Sequence, residues 1–377
     1  MCSINGYVGE IVGDGRGFDI LIRSQEYLKY RGYDSWGVAT NGTRNGEKAR
    51  MHYLKGTDKK RNIREIYEKE YDSFNLYMQT GIAHNRWATH GKPTLKNAHP
   101  HLDCNEKIAV IHNGIIYNYK ELYKKYPGHT IRSETDSEII PHLIEEYMKK
   151  GLEFEDAFAA TVNEFKGSTY AIAAINVEKP DIIMAARQCS PLIIGLGDNE
   201  NLVSSDIVSL LNYTDEFIRL KNGDTAKITK DSVEIYNNGY VVDREIKKIN
   251  DIPQGWFENT DMDLFSDKGE VKKDITLFEI GQQTGIDKSG HNTMKSALNQ
   301  DKDNISEIIK KLKGSEKIIL TGSGSSYNAA IYGESLLRKC GYTAYAMPAC
   351  HLGMFKEAID QDTAVIVLSQ SGETMDL

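Results

Sequence analysis

The stretch MCSINGYVGE, residues 1–10, sets a cysteine directly behind the first methionine and ahead of an alternating run. INGYVGEIV reads as a strand, so Cys2 stands where a strand begins. Methionine aminopeptidase removes Met1 when the next residue is small, and cysteine qualifies. The new terminus would carry a thiol and an α-amine on one residue. With a reference pKa of about 7.7–8.0, that amine is partly free base near neutrality. It can therefore accept the thiol proton without a histidine. The competing reading of Cys2 is an inert residue in a first strand, and the rest of the chain has to decide.

Working outward, strand signals dominate the first half. KIAVIHNGIIYNY, TYAIAAINV, DIIMAA and PLIIGLG are β-type runs, and TDEFIRLKNGDTAKIT reads as a hairpin around Asn222 and Gly223. Helical patterns fall at residues 18–30, 118–125, 136–150 and 153–163, with Asp136 placed to cap its helix. Many strands with helices between them predict stacked sheets covered by helices, a four-layer α/β/β/α domain over residues 1–242. Residues 243–291 are charged and mostly aperiodic and read as a linker. From residue 292 to 377 strands alternate with helices, which predicts a parallel sheet in an α/β/α domain.

The 377 residues carry a net charge of −8, with 40% hydrophobic and 27% charged residues. That balance suits a globular protein and argues against nucleic-acid or anionic-membrane binding. With no signal-peptide pattern and no apolar run of roughly 18 residues, a cytoplasmic location is expected. The five cysteines are scattered without a CxxC pair, so neither a disulfide framework nor a structural zinc is expected. Cys104, Cys189, Cys340 and Cys350 read as small buried hydrophobes. His99, His101 and His112 match no standard zinc spacing, and no metal is expected there.

Two loops follow strands in the second half: TGSGSSYNAA at residues 321–330 and LSQSGET at residues 368–374. Glycines allow close backbone approach, helix N-termini attract anions, and Ser325, Ser326, Ser369, Ser371 and Thr374 supply hydroxyls. No lysine follows as in a nucleotide P-loop. A small phosphate suits such a pair of loops. They resemble the phosphosugar-binding loops of SIS domains, which have a flavodoxin-like fold.

The first half holds polar clusters between apolar runs: YRGYDSWG, HNRWATHG, NAHPH, HNGIIYNYKEL and SETDSE. With Cys2 they resemble the class II glutamine amidotransferases, the N-terminal-nucleophile (Ntn) hydrolase type. In this order, the two halves resemble the family of glutamine–fructose-6-phosphate aminotransferases. That resemblance implies L-glutamine and fructose 6-phosphate as ligands, glucosamine 6-phosphate as product, no cofactor, and a homodimer in the full-length protein. It implies Cys2 as nucleophile, with the Asn113 side chain and the Gly114 amide as oxyanion hole. Arg86 and Asp136 would hold the two charges of glutamine. Thr89 and His90 would line the pocket, and Trp87 would gate ammonia. Ser325, Ser326, Ser369, Gln370, Ser371 and Thr374 would hold the sugar phosphate.

The sequence departs from that family in places. Ser3 stands where glycine is usual and adds bulk beside the nucleophile, so lower activity is expected. Ala83 and Asn85 alter the segment before Arg86, residues 275–283 lack a His and a Lys, and Ser323 replaces a common Cys. The lysine, glutamate and histidine that isomerise the sugar in the family are missing. The chain is thus expected to be an N-terminal fragment with a complete glutaminase half and an incomplete isomerase half. Alternative readings are an amidotransferase with another sugar-phosphate acceptor, a stand-alone glutaminase, or a phosphosugar-binding regulator.

Overall fold

The structure, a computed structural model, describes residues 2–10, 15–29, 32, 34–44, 50–57, 65–66, 69, 76–87, 92–248, 309–322, 325–352 and 359–368. Two compact units divide the chain, Met1–Leu277 and Phe278–Leu377.

In the first unit, an eight-stranded and a seven-stranded sheet are stacked face to face. Ser3–Gly9 lies inside the larger sheet, antiparallel to Glu200–Ser204 on one side and Leu76–Arg86 on the other. All seven of its residues are buried. The reason is visible in its alternation. Ile4 and Val8 point into the core between the sheets, while Tyr7 points outward beneath the helix Arg16–Tyr27. The smaller sheet behaves likewise. Along Ile108–Ile115, Ala109 and Ile111 face the inter-sheet core, while Ile108 and Val110 face the helices Ile139–Lys149 and Phe154–Asn163. Helix, sheet, sheet and helix are the four layers the sequence predicts.

The residue 222–223 turn is a correction. Glu216–Arg219 pairs with Ile193–Leu196 in the larger sheet, whereas Asp224–Ile228 pairs with Val233–Asn237 and Lys179–Gln188 in the smaller one. The turn passes the chain between sheets instead of closing a hairpin. Gly223 takes a φ of +81° there, and its N–H donates to the Arg187 carbonyl. Asp136 is a second correction. It opens a 3-10 turn, Asp136–Glu138, and no side-chain cap is made. Its carboxylate instead accepts the Ile116 N–H at 2.7 Å. The α-helix proper is Ile139–Lys149.

In the second unit, Lys317–Gly322 is the middle strand of a parallel three-stranded sheet, flanked by Ala344–Pro348 and Thr363–Leu368. The helix Ser325–Lys339 follows the middle strand. Gly322 fits that junction closely: a Cβ there would lie 2.8 Å from the Ser326 backbone carbon.

Candidate active site

The two-residue period of the strands builds the site. Cys2 extends the inward row of Ile4 and Val8, and Asn113 extends that of Ala109 and Ile111. On Leu76–Arg86, His84 and Arg86 continue the row of Ile82. At one end of the inter-sheet core, apolar rows therefore give way to polar residues. There a cavity of about 310 Å³ opens, lined by Cys2, Arg86, Trp87, Asn113, Gly114 and Asp136 among others.

The Cys2 Sγ accepts the Trp87 N–H at 3.2 Å. Burial pushes its thiol up. The Trp87 N–H and the Arg86 guanidinium pull the other way without cancelling that effect. The resting group is a thiol, and attack by its sulfur needs a base. The Asn113 Nδ2 donates to the Cys2 carbonyl at 3.2 Å, and its Oδ1 lies 2.9 Å from His84 Nε2. His84 is buried, which lowers it to about 3, so the ring is neutral and its Nε2–H donates to Asn113. Gly114 has φ +130°, and a Cβ would lie 2.1 Å from the Thr169 carbonyl oxygen. No other residue fits there.

Arg86 is 5% exposed, and Asp34 and Asp136 lie within its electrostatic reach. The cavity thus has a fixed cation, a carboxylate at Asp136 and a thiol. That is the complement of a zwitterionic amino acid with a reactive side chain. Behind it, His84 stacks on His99 at 4.2 Å, and His99 meets His101 edge-on at 4.6 Å. The His99 Nδ1 accepts the His112 N–H, while the His112 and His101 rings contact Ser137 and Thr135. The histidines of the NAHPH cluster thus buttress the pocket.

His84 and Asp34 join the site although no motif in the sequence singles them out. His84 had a signal, because it shares strand parity with Arg86. Thr89 and His90 lie outside the described residues. So do Ser369, Gln370, Ser371, Thr374, Ser323 and residues 275–283. Ser325 and Ser326 begin the helix after the middle strand of the second unit, the Ser325 side chain lying outside the described residues. Ser3 and Asn85, both unusual in the amidotransferase pattern, face each other across adjacent strands, and both are buried. The reading of the other cysteines needs correction. Cys340 is exposed at the end of a helix, and Cys104 and Cys189 are half-buried. Each of those two has a polar neighbour at its sulfur: the His129 and His142 rings for Cys104, and the Asn222 amide for Cys189.

Residues 84–212 match the glutamine amidotransferase domain family, and residues 311–377 match the SIS domain family. The two matches follow one another in the order the sequence predicts. It is 37% identical to glutamine–fructose-6-phosphate aminotransferase [isomerizing] of Sulfolobus acidocaldarius, across 100% of this chain and 60% of the relative. The relative of the same name from Aquifex aeolicus is also 37% identical, over 100% of this chain and 58% of its own length. The chain therefore spans about 60% of the curated relatives it matches. A solved allosteric regulatory enzyme of purine biosynthesis aligns with TM-score 0.51 at 21% identity, over 63% of this chain and 49% of its own. The glutamine phosphoribosylpyrophosphate amidotransferase of B. subtilis aligns at TM-score 0.50 and 17% identity, over 92% and 65%. These likenesses speak for the amidotransferase fold. No helix among the described residues is long and apolar enough to cross a membrane.

Proposed function

We propose that this chain hydrolyses the side-chain amide of L-glutamine and carries part of the site that passes the ammonia to fructose 6-phosphate. The whole protein would yield glutamate and glucosamine 6-phosphate. The observation that carries the reading is the convergence of Cys2, Asn113, Gly114, Arg86 and Asp136 on one cavity.

Arg86 pairs with the α-carboxylate of glutamine and Asp136 with its α-ammonium. The Cys2 sulfur attacks the amide carbon, and the thiol proton passes to the α-amine exposed by loss of Met1. Asn113 Nδ2 and the Gly114 N–H hold the oxyanion, an arrangement worth about 3–4 kcal/mol per donor in the transition state. Collapse returns the proton to the leaving nitrogen and releases ammonia. Water then hydrolyses the γ-glutamyl thioester to glutamate and restores the thiol. Trp87, 41% exposed at the cavity, is assigned the gating of ammonia in this reading. Thr89 and His90 are assigned to glutamine binding in the same reading.

In the second unit Ser325, Ser326, Ser369, Gln370, Ser371 and Thr374 hold the phosphate of fructose 6-phosphate. Domain limits of 1–242, 243–291 and 292–377 are part of this reading, with the first extended to Lys248 by the edge strand Ile246–Lys248. So are a cytoplasmic location, a homodimer of the whole protein, and no nucleic-acid or membrane partner.

Glutamate release and amino-sugar formation, measured separately on the 377-residue chain, test it. Glutamate is expected to form, and Cys2→Ala is expected to abolish it. Mass spectrometry is expected to find Met1 removed. Glutaminase activity with Met1 retained would refute the α-amine as base.

A further inference from the structure

Away from the glutamine cavity, four chemically matched side chains meet in the first unit. Cys104 sits in the turn before Ile108–Ile115, His129 in the loop after the helix Tyr119–Lys125, and His142 and Glu145 on one face of Ile139–Lys149. One donor atom from each lies within 4.8 Å of all the others. The His129 and His142 side chains are 2% and 1% exposed, and that of Glu145 is 5% exposed.

Four of the six donor–donor distances run from 3.2 to 3.9 Å, close to those between ligands around an ion. Cys104 Sγ lies 3.5 Å from His129 Nδ1 and 3.7 Å from His142 Nδ1. Glu145 Oε2 lies 3.2 Å from His129 Nδ1 and 3.9 Å from His142 Nδ1. Tetrahedral zinc with Zn–N of about 2.0–2.1 Å and Zn–S of about 2.3 Å requires ligand–ligand edges of roughly 3.3–3.6 Å. Both imidazoles turn the same nitrogen, Nδ1, to the common centre.

The surroundings match as well. Each far nitrogen faces a carboxylate: His129 Nε2 is 3.2 Å from Glu146 Oε1, and His142 Nε2 is 3.7 Å from Glu138 Oε1. Neither pair is aligned as a hydrogen bond. In metal sites the far N–H of the imidazole donates to such a carboxylate, so loading the site is expected to draw each pair into a hydrogen bond. The other oxygen of Glu145 is held by Asn105 Nδ2 at 2.7 Å and Lys149 Nζ at 2.9 Å, while Oε2 faces inward and also accepts the Cys104 N–H at 3.3 Å. A thiolate and a carboxylate balance the charge of a divalent ion, and two imidazoles complete the set. Hydrogen bonds alone could join these groups in pairs, but they would not require four donors around one centre.

We propose that Cys104, His129, His142 and Glu145 bind one Zn²⁺ as a closed, structural site. Binding exchanges the Cys104 thiol proton for the metal, and the proton goes to solvent. The ion ties the turn at Cys104 and the loop at His129 to the helix that continues from Asp136. It therefore stabilises the side of the glutamine cavity that carries Asp136, without touching glutamine.

Metal analysis and cobalt substitution on the full chain test this. One equivalent of zinc per chain is expected after dialysis against micromolar Zn²⁺. Co²⁺ in its place is expected to give the near-ultraviolet thiolate-to-cobalt band and the intense visible bands of a tetrahedral site. Cys104→Ser is expected to lose the thiolate band, whereas Cys2→Ser keeps it. His129→Gln, checked for folding by circular dichroism, is expected to bind zinc at least tenfold more weakly. Zinc is expected to raise the melting temperature of the unsubstituted chain more than that of either ligand variant. The proposal is overturned if the chain gives no cobalt–thiolate band, if the band survives Cys104→Ser, or if zinc affinity is unchanged in folded His129→Gln. None of these readouts depends on glutaminase activity.

Discussion

His84 Nε2 lies 2.9 Å from Asn113 Oδ1, and the amide so held turns its nitrogen to the Cys2 carbonyl. Asn113 thus has its orientation set from behind by a neutral, buried ring. His84→Ala removes that donor and frees the amide to rotate. It is expected to lower kcat for glutamate release about 10–100-fold with little change in KM, less than the roughly 10²–10³-fold for losing an oxyanion donor outright in Asn113→Ala. His84→Gln, which can still donate an N–H to Oδ1, is expected to recover part of the loss. Equal KM and kcat effects, or no recovery with glutamine, would argue for a packing role alone.

The same ring carries a pH signature. Burial holds His84 down to about 3 and lowers His99 and His112 too, although Asp136 pulls His112 upward. Unfolded, each would titrate near 6.5. Above that value both states are neutral and the full stability is present. As pH falls below about 6.5, the unfolded chain binds protons that the folded one refuses. Stability then drops by up to about 1.4 kcal/mol per pH unit for each such histidine. Melting temperatures between pH 8 and pH 5 are expected to fall steeply on the acid side only, and His99→Gln is expected to flatten the slope.

Asp136→Asn separates binding from chemistry. The asparagine oxygen can still accept the Ile116 N–H that the carboxylate takes at 2.7 Å, so the local turn is kept. In the proposed reaction what is lost is the negative partner for the substrate ammonium, roughly 1.5–3 kcal/mol, or about 10–150-fold in affinity. KM for glutamine is expected to rise by that factor while kcat changes little. Steady-state glutaminase kinetics decide it, and a drop confined to kcat would give Asp136 another role.

Much of this arrangement was legible because strands speak through alternation. The row from Cys2 through Ile4 to Val8, and that from Ala109 through Ile111 to Asn113, place two cavity-lining side chains at one end of the same core. The residue 222–223 turn was not legible. Two strands on either side of Asn-Gly look alike whether they pair with each other or with strands far away in sequence, and only the inter-sheet contacts choose. The contact between Asp136 and Ile116 was hidden for a similar reason. A carboxylate before a helix satisfies a capping pattern, but here the Ile116 N–H from another element takes it. The cluster at Cys104 and His129 was invisible because two of its four members lie in irregular loops with no fixed spacing.

Where the first unit can be cut depends on Arg244 and the strand after it. A boundary at residue 242 looks natural in the sequence, where the charged segment begins. Yet Arg244 reaches Asp224 with Nε at 2.8 Å and Nη2 at 2.6 Å, and the Asp224 side chain is fully buried. Burial alone would raise that carboxyl. Arg244, Asn237 and the Lys221 N–H reverse the effect and hold it below the ordinary value. Ile246–Lys248 also pairs with Glu216–Arg219 at the edge of the larger sheet. A chain ending at 242 loses that strand and strands a buried charge, a change that typically costs 3–5 kcal/mol when the pair is removed from one side. A chain ending at 248 keeps both. Urea midpoints and glutaminase rates of the two are expected to differ, with the longer piece distinctly more stable at similar kcat. In a chain ending at 248, Arg244→Ala is expected to reproduce most of the loss. Equal midpoints for 1–242 and 1–248 would show that Asp224 finds another partner when Arg244 is gone.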